Sequence, residues 1–343
     1  MTHPRTTGDT IRRFILEHVE TSSPDVAKAT AQKFGISRQA VNKHLRRLRE
    51  EGALKRSGNT RARVYSLAPL VEWRRDFEIE PNLAEDLVWT RQIKDVLGDL
   101  SANVLDIWQY GFTEMFNNAV EHSGGSTISV HIEATAATTE MIVSDDGYGI
   151  FKKIQHALDL LDERHSILEL SKGKLTTDPE HHTGEGIFFS SRMFDLFAIL
   201  SGDVYFSHSF GDAEDWILQR NNISDGTAVL MNLSNRTQRT SKEIFDEFTS
   251  SDDYGFTKTV VPVRLAQYGS NQLISRSQAK RVLARVELFK TVLFDFAGVE
   301  TIGQAFADEI FRVFALQHPD IELAPINANP DVMRMIARAR HAM

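Results

Sequence analysis

The feature that most constrains this 343-residue chain is a set of three short strings in fixed order: YGFTEMFNNAVEHS at 110–123, VSDDGYGI at 143–150 and HHTGEGIFFSSR at 181–192. The first has helical spacing, and its Glu114 and Asn118 stand at i and i+4, on one face of a helix. The second is the end of an alternating, β-branched strand that runs into Asp145-Asp146-Gly147-Tyr148-Gly149, a D-x-G-x-G turn. The third places Gly184-Glu185-Gly186 at the start of a helical run, IFFSSRMFDLFAIL, 35 residues after Gly149. A glycine turn opening a helix presents backbone N–H groups to anionic phosphate. Each string also has a plain reading, as a polar helix surface, a β-turn or a solvated loop. Their order favours one composite site.

Composition narrows the class. A hydrophobic share of 41% and a charged share of 25% are ordinary for a globular protein. No apolar run approaches the roughly 18 residues of a membrane span, and the first residues lack the apolar centre of a signal peptide, so a cytoplasmic protein without a membrane partner is expected. The chain has no cysteine, which excludes disulfides, thiolate metal sites and a thiol nucleophile. Its net charge of −8 hides an asymmetry: residues 1–70 hold 14 Lys+Arg against 6 Asp+Glu, and the remainder is strongly acidic. A basic module for a polyanion, joined to an acidic body, fits that split.

Within the basic module, Ile11, Phe14, Ile15 and Val19 form a helical stripe, Ser23-Pro24 opens a second helix that stops at Gly35, and Ser37 caps a third, ended by Gly52. ALKRSGNTRARVYSL then reads as two strands around a turn. This order resembles a winged helix-turn-helix over residues 1–70. The resemblance implies DNA as partner, with Arg38, Gln39, Asn42, Lys43 and Arg46 of the third helix reaching base edges, and Lys55, Arg56, Arg61 and Arg63 of the wing meeting phosphates. A protein-binding module with a solvated basic helix is the alternative.

A linker, 71–82, separates this module from an expected ATP-binding domain at 83–240. The three strings resemble the N, G1 and G2 boxes of the gyrase/heat-shock-chaperone/histidine-kinase (GHKL) ATPase superfamily, an α/β-sandwich Bergerat fold. By that resemblance the cofactors are ATP and Mg²⁺. Glu114 is the candidate general base and Asn118 the Mg²⁺ ligand, with Asn117 and His122 secondary. Asp145 accepts from the adenine amino group, Gly147, Gly149, Gly184 and Gly186 allow close backbone approach, and Thr227 of Gly226-Thr227 bonds near the base. Residues 150–183 become the ATP lid, with Lys172, Lys174, His181 and His182 as phosphate contacts or simply a solvated loop. The sequence has no H-E-x-x-x-P phosphoacceptor box, which disfavours an ordinary two-component sensor.

From 255 to 343, helix and strand patterns alternate around TVLFDFAGV, a continuous apolar run expected of a buried parallel strand. The segment resembles a STAS-like α/β domain, which implies a protein partner or the lid as its contact. In phosphorylated anti-sigma-factor antagonists the following helix starts with serines. Here Gln304 and Ala305 stand there, which disfavours phosphorylation. The expectation is therefore a multidomain protein, an α+β winged helix, a Bergerat domain and a STAS-like domain. Its function would be a DNA-binding transcriptional regulator switched by ATP/Mg²⁺. The alternatives are an anti-sigma-factor-like kinase acting on a separate partner, or a slow ATPase. Whether the chain forms a homodimer stays open.

Overall fold

The computed structural model describes residues 6–19, 25–58, 64–176, 183–211, 216–249, 255–267 and 272–341. The chain begins with three helices, α1 (Thr6–His18), α2 (Val26–Phe34) and α3 (Arg38–Glu50), followed by the antiparallel pair β1 (Leu54–Ser57) and β2 (Val64–Leu67). Local chemistry sets the boundaries. Gly35 ends α2 in the left-handed conformation, and the Ser37 hydroxyl accepts from the Ala40 N–H at 3.2 Å to start α3. Ile11, Ile15, Val19, Val41, Leu45 and Leu48 close a small core of their own. Ser23 and Pro24, Arg61 and Arg63, and His181 and His182 lie outside the described residues.

The stretch read as a linker carries a strand. β3 (Val71–Glu78) pairs antiparallel with β4 (Thr127–Ala134), Phe77 opposite Ile128. As an edge strand it buries only Phe77, so it shows none of the alternation that marks a strand in sequence. Next come α4 (Glu85–Val88), a π-helical turn (Trp89–Ile93), α5 (Lys94–Leu97) and the long α6 (Ala102–His122). β4, β5 (Thr138–Asp145), β6 (Leu196–Ser209) and β7 (Trp216–Ser234) complete a five-stranded antiparallel sheet of order β3-β4-β5-β7-β6. α6 lies against this sheet through Ile107, Trp108, Phe112 and Phe116, all fully buried. Between β5 and β6 run α7 (Ile150–Ala157), α8 (His165–Lys172) and α9 (Gly186–Met193). The helical run expected after Gly186 is shorter than its sequence suggests. Phe194 turns extended, and Phe197 and Ile199 face Met231 and Val229 across the ladder, because an apolar run of that length suits a buried strand equally well.

After α10 (Ser241–Phe248), the C-terminal unit forms a three-stranded parallel sheet of order β10-β9-β8. Its strands are β8 (Lys258–Pro262), β9 (Thr291–Asp295) and β10 (Glu322–Ile326). α11 (Arg276–Leu283), α12 (Gln304–Asp308), a π-helical turn (Glu309–Phe314), α13 (Ala315–Gln317) and α14 (Pro330–His341) accompany it. The apolar run at 291 is the central strand, with Val292 and Phe294 fully buried. Ser275 and Gln278 form a reciprocal cap on α11. The apolar core of this unit is continuous with that of the five-stranded sheet. Among the described residues no helix is long and apolar enough to cross a membrane.

Candidate nucleotide site

The three strings converge on one cavity of about 310 Å³, between α6, the D-x-G-x-G turn and the start of α9. Glu114, Asn117, Asn118 and His122 line it from α6, together with the buried Met115 and Ala119, while Phe116 of the same helix faces the core. Asp145, Gly149, Ile150 and Lys153 line it from the turn and α7, Gly184, Glu185 and Gly186 from the mouth of α9, and Thr227 from β7. Gly147 is not on the wall. Its N–H donates to Asp145 Oδ1 at 2.9 Å, so it shapes the turn.

The two neighbouring aspartates of the turn have separate tasks. Asp146 ties the turn to the start of β4: Oδ1 accepts from the Ser126 and Thr127 N–H groups at 2.6 and 2.9 Å, and Oδ2 from the Ser126 hydroxyl. These bonds hold its carboxyl at about 2. Burial pushes the Asp145 carboxyl above the usual range, against the N–H groups of Gly147 and Thr227, which favour its charged form. Thr227 works twice, since its hydroxyl also accepts from the Ile150 N–H at 3.0 Å and so fixes the start of α7. Next to it, Gly226 has φ +76, and a Cβ there would sit 1.8 Å from the Asp145 carbonyl oxygen. Only glycine leaves room for this turn.

Glu114 meets a similar constraint. A Cβ on Gly186 would fall 1.9 Å from Glu114 Oε2, so that carboxylate rests directly against the first residue of α9. Glu185 is raised by burial, and Lys174 acts in the opposite direction. The Tyr110 hydroxyl is pushed up by burial first, then by Glu114 and Glu185. The cavity thus holds acidic groups at a helix N-terminus, with Asn117 and Asn118 beside them. Among the described residues no cluster of three or more His, Asp or Glu side chains could hold a metal alone. A single amide with waters and phosphate oxygens is a donor set that suits Mg²⁺.

Lys172 and Lys174, expected as phosphate contacts, do not line this cavity. Lys172 is fully buried and turned toward the C-terminal unit, and Lys174 Nζ donates to the Leu288 carbonyl at 3.0 Å. Their expected role as phosphate contacts is not supported by these positions. The missed cation is Lys153, whose Nζ donates to the His122 carbonyl at 2.7 Å from the cavity wall. Its position one turn into the helix after Gly149 is the signal that points to it.

On the N-terminal module, Arg38, Gln39, Asn42, Lys43 and Arg46 are all exposed along one stripe of α3, opposite Val41, Leu45 and Leu48. Lys55 and Arg56 are exposed on β1. The turn between β4 and β5 reaches this module, with Ala137 buried in its core.

Residues 278–333 match the family described as a STAS-like domain of unknown function (DUF4325). The C-terminal unit therefore carries a STAS-like domain. No curated protein matches the chain.

Proposed function

We propose that this chain is an ATP-binding regulator, with a Bergerat-type nucleotide domain joined to a winged helix that binds DNA and to the STAS-like domain. The observation that carries the reading is Asp145. It sits in the cavity wall with Oδ1 engaged by two backbone N–H groups, and a carboxylate has a second oxygen to accept from an adenine amino group. Guanine presents a carbonyl at that position and would be repelled.

Mg²⁺, when bound, supplies charge neutralisation between phosphate oxygens, and Asn118 is the residue to hold it. Gly184–Gly186 direct the N-terminus of α9 at the phosphate side. Coupling to DNA has a short physical route. β5 carries Asp145 at one end, and at its other end the β4–β5 turn buries Ala137 in the N-terminal module. Nucleotide shifts DNA affinity only if it binds two arrangements of that junction unequally.

The test is a pair of titrations. ATP/Mg²⁺ should change affinity for DNA at fixed salt, since phosphate contacts make affinity salt-dependent. Asp145→Asn should weaken ATP binding by at least about tenfold, or about 1.4 kcal/mol. Equal nucleotide affinity in Asp145→Asn refutes the pocket, and a DNA affinity indifferent to ATP refutes the switch. A second reading, an anti-sigma-factor-like kinase or a slow ATPase, rests on Glu114, a carboxylate placed in the same cavity as Asp145 and the α9 N-terminus.

A further inference from the structure

The lid helix α8 and the STAS-like helix α11 cap each other. Lys172, the last residue of α8, is 0% exposed, and all three of its ammonium protons are used. Nζ donates to Glu169 Oε1 at 2.7 Å and to two carbonyls at the end of α11, Arg281 at 3.0 Å and Ala284 at 2.8 Å. Arg285 follows α11 and returns the contact. Its guanidinium reaches Glu169 Oε2 at 3.2 Å, the Gly173 carbonyl at 3.0 Å and the Lys174 carbonyl, all at the end of α8. Each helix C-terminus, with its unpaired carbonyls and negative dipole end, thus receives a cation from the other element. Glu169, 4% exposed, pairs with both cations.

Two further observations mark this junction as specific. Arg285 has φ +64, a left-handed conformation that an arginine adopts only when its surroundings hold it there. Thr259 of β8 donates to the Lys172 carbonyl at 2.7 Å, which fixes the same residue from the sheet. On its other side the lid touches the nucleotide cavity, where Leu170, Leu175 and Thr176 are wall residues.

We infer that Arg285 is a positioning residue for the nucleotide site: the STAS-like domain latches the lid in cis, and the latch controls how long a nucleotide stays. The inference rests on the proposed nucleotide reading of the cavity. If the lid were released, Lys172 and Glu169 would return to water and the cavity would lose its lid wall.

The experiment uses the full chain with Arg285→Gly. Glycine accepts φ +64, so the variant deletes the guanidinium without straining the backbone. In nucleotide-free protein, amide hydrogen exchange across 165–175 should speed up by about tenfold or more. With a methylanthraniloyl-ATP probe, dissociation should accelerate by about tenfold while association stays within about twofold, the usual signature of a lost contact in the bound state. Arg285→Lys, which keeps the charge but loses the fork, should recover part of both effects. Arg334→Ala, at an exposed pair with Asp331 on α14, should leave both at wild-type values. Unchanged exchange in Arg285→Gly overturns the latch. Faster exchange with unchanged probe release overturns the positioning role. If the wild type binds no probe, the nucleotide reading fails instead, and exchange alone decides the latch.

Discussion

Glu114 and Glu169 are both glutamates on helices that bound the same cavity, and the chain treats them in opposite ways. Glu114 is half-buried on the cavity wall, with its carboxylate against the N-terminus of α9. Glu169, one helical position before the wall residue Leu170, is buried and paired with Lys172 and Arg285. A charge that is buried must be neutralised where it stands, since desolvation costs more than any single contact returns. The difference separates a carboxylate that borders a cavity from one enclosed in an ion-pair network, although both read in sequence as a polar residue on a helix.

The largest effect should come from breaking the architectural glutamate. Glu169→Ala leaves Lys172 buried without its acid, and removing one partner of such a group typically costs about 3–5 kcal/mol. Urea denaturation of the full chain measures this. A loss below about 1 kcal/mol would mean that α8 and the STAS-like domain are not held through these charges.

Glu114→Ala should show the reverse pattern. Its stability should stay within about 1 kcal/mol of the wild type, because the side chain borders a cavity. Any ATP hydrolysis should fall by about 100- to 10,000-fold, the usual contribution of a general base. A steady-state phosphate-release assay beside a melting curve gives both numbers. Strong destabilisation without loss of turnover would make Glu114 architectural too, and the contrast would collapse.

Much of the frame was legible in the sequence, for a physical reason: caps, glycine turns and helical or alternating periods act locally. Ser37 and Gly35 mark helix ends where expected, and the run at 291 is the buried parallel strand. Glu114, Asn118, Asp145, Gly149, Gly184 and Gly186 of the three strings line one cavity, and Thr227, which only the resemblance pointed to, lines it with them. The roles of Lys172 and Lys174 were not legible. Their partners Arg281, Ala284 and Leu288 lie more than 100 residues away, and a lysine beside a glycine turn looks the same whether it meets a phosphate or a distant helix end. β3 was hidden because an edge strand needs only one buried side chain, Phe77. The stretch after Met193 was ambiguous because a short apolar run carries no period that separates helix from strand.

The smallest effect separates the two glutamates by pH. His165, at the start of α8, approaches Arg281 of α11 at 3.2 Å through Nε2. Burial first, then Arg281 and Arg164, hold its pKa below the ordinary 6.5, against the opposing pull of Asp162 and Glu169. As the pH falls below neutrality, the unfolded chain takes up this proton before the folded one does. Stability contributed by neutral His165 is therefore present above the unfolded value and declines as the pH falls from there toward the lower folded value. The junction that holds Glu169 should weaken through that window. Amide exchange across 165–175 at about pH 7 and about pH 5.5 should show more opening at the lower value once the intrinsic rate is corrected. His165→Gln should flatten the difference, since glutamine fills a similar space without titrating. An equally steep response in His165→Gln would overturn the assignment of the pH dependence to this histidine.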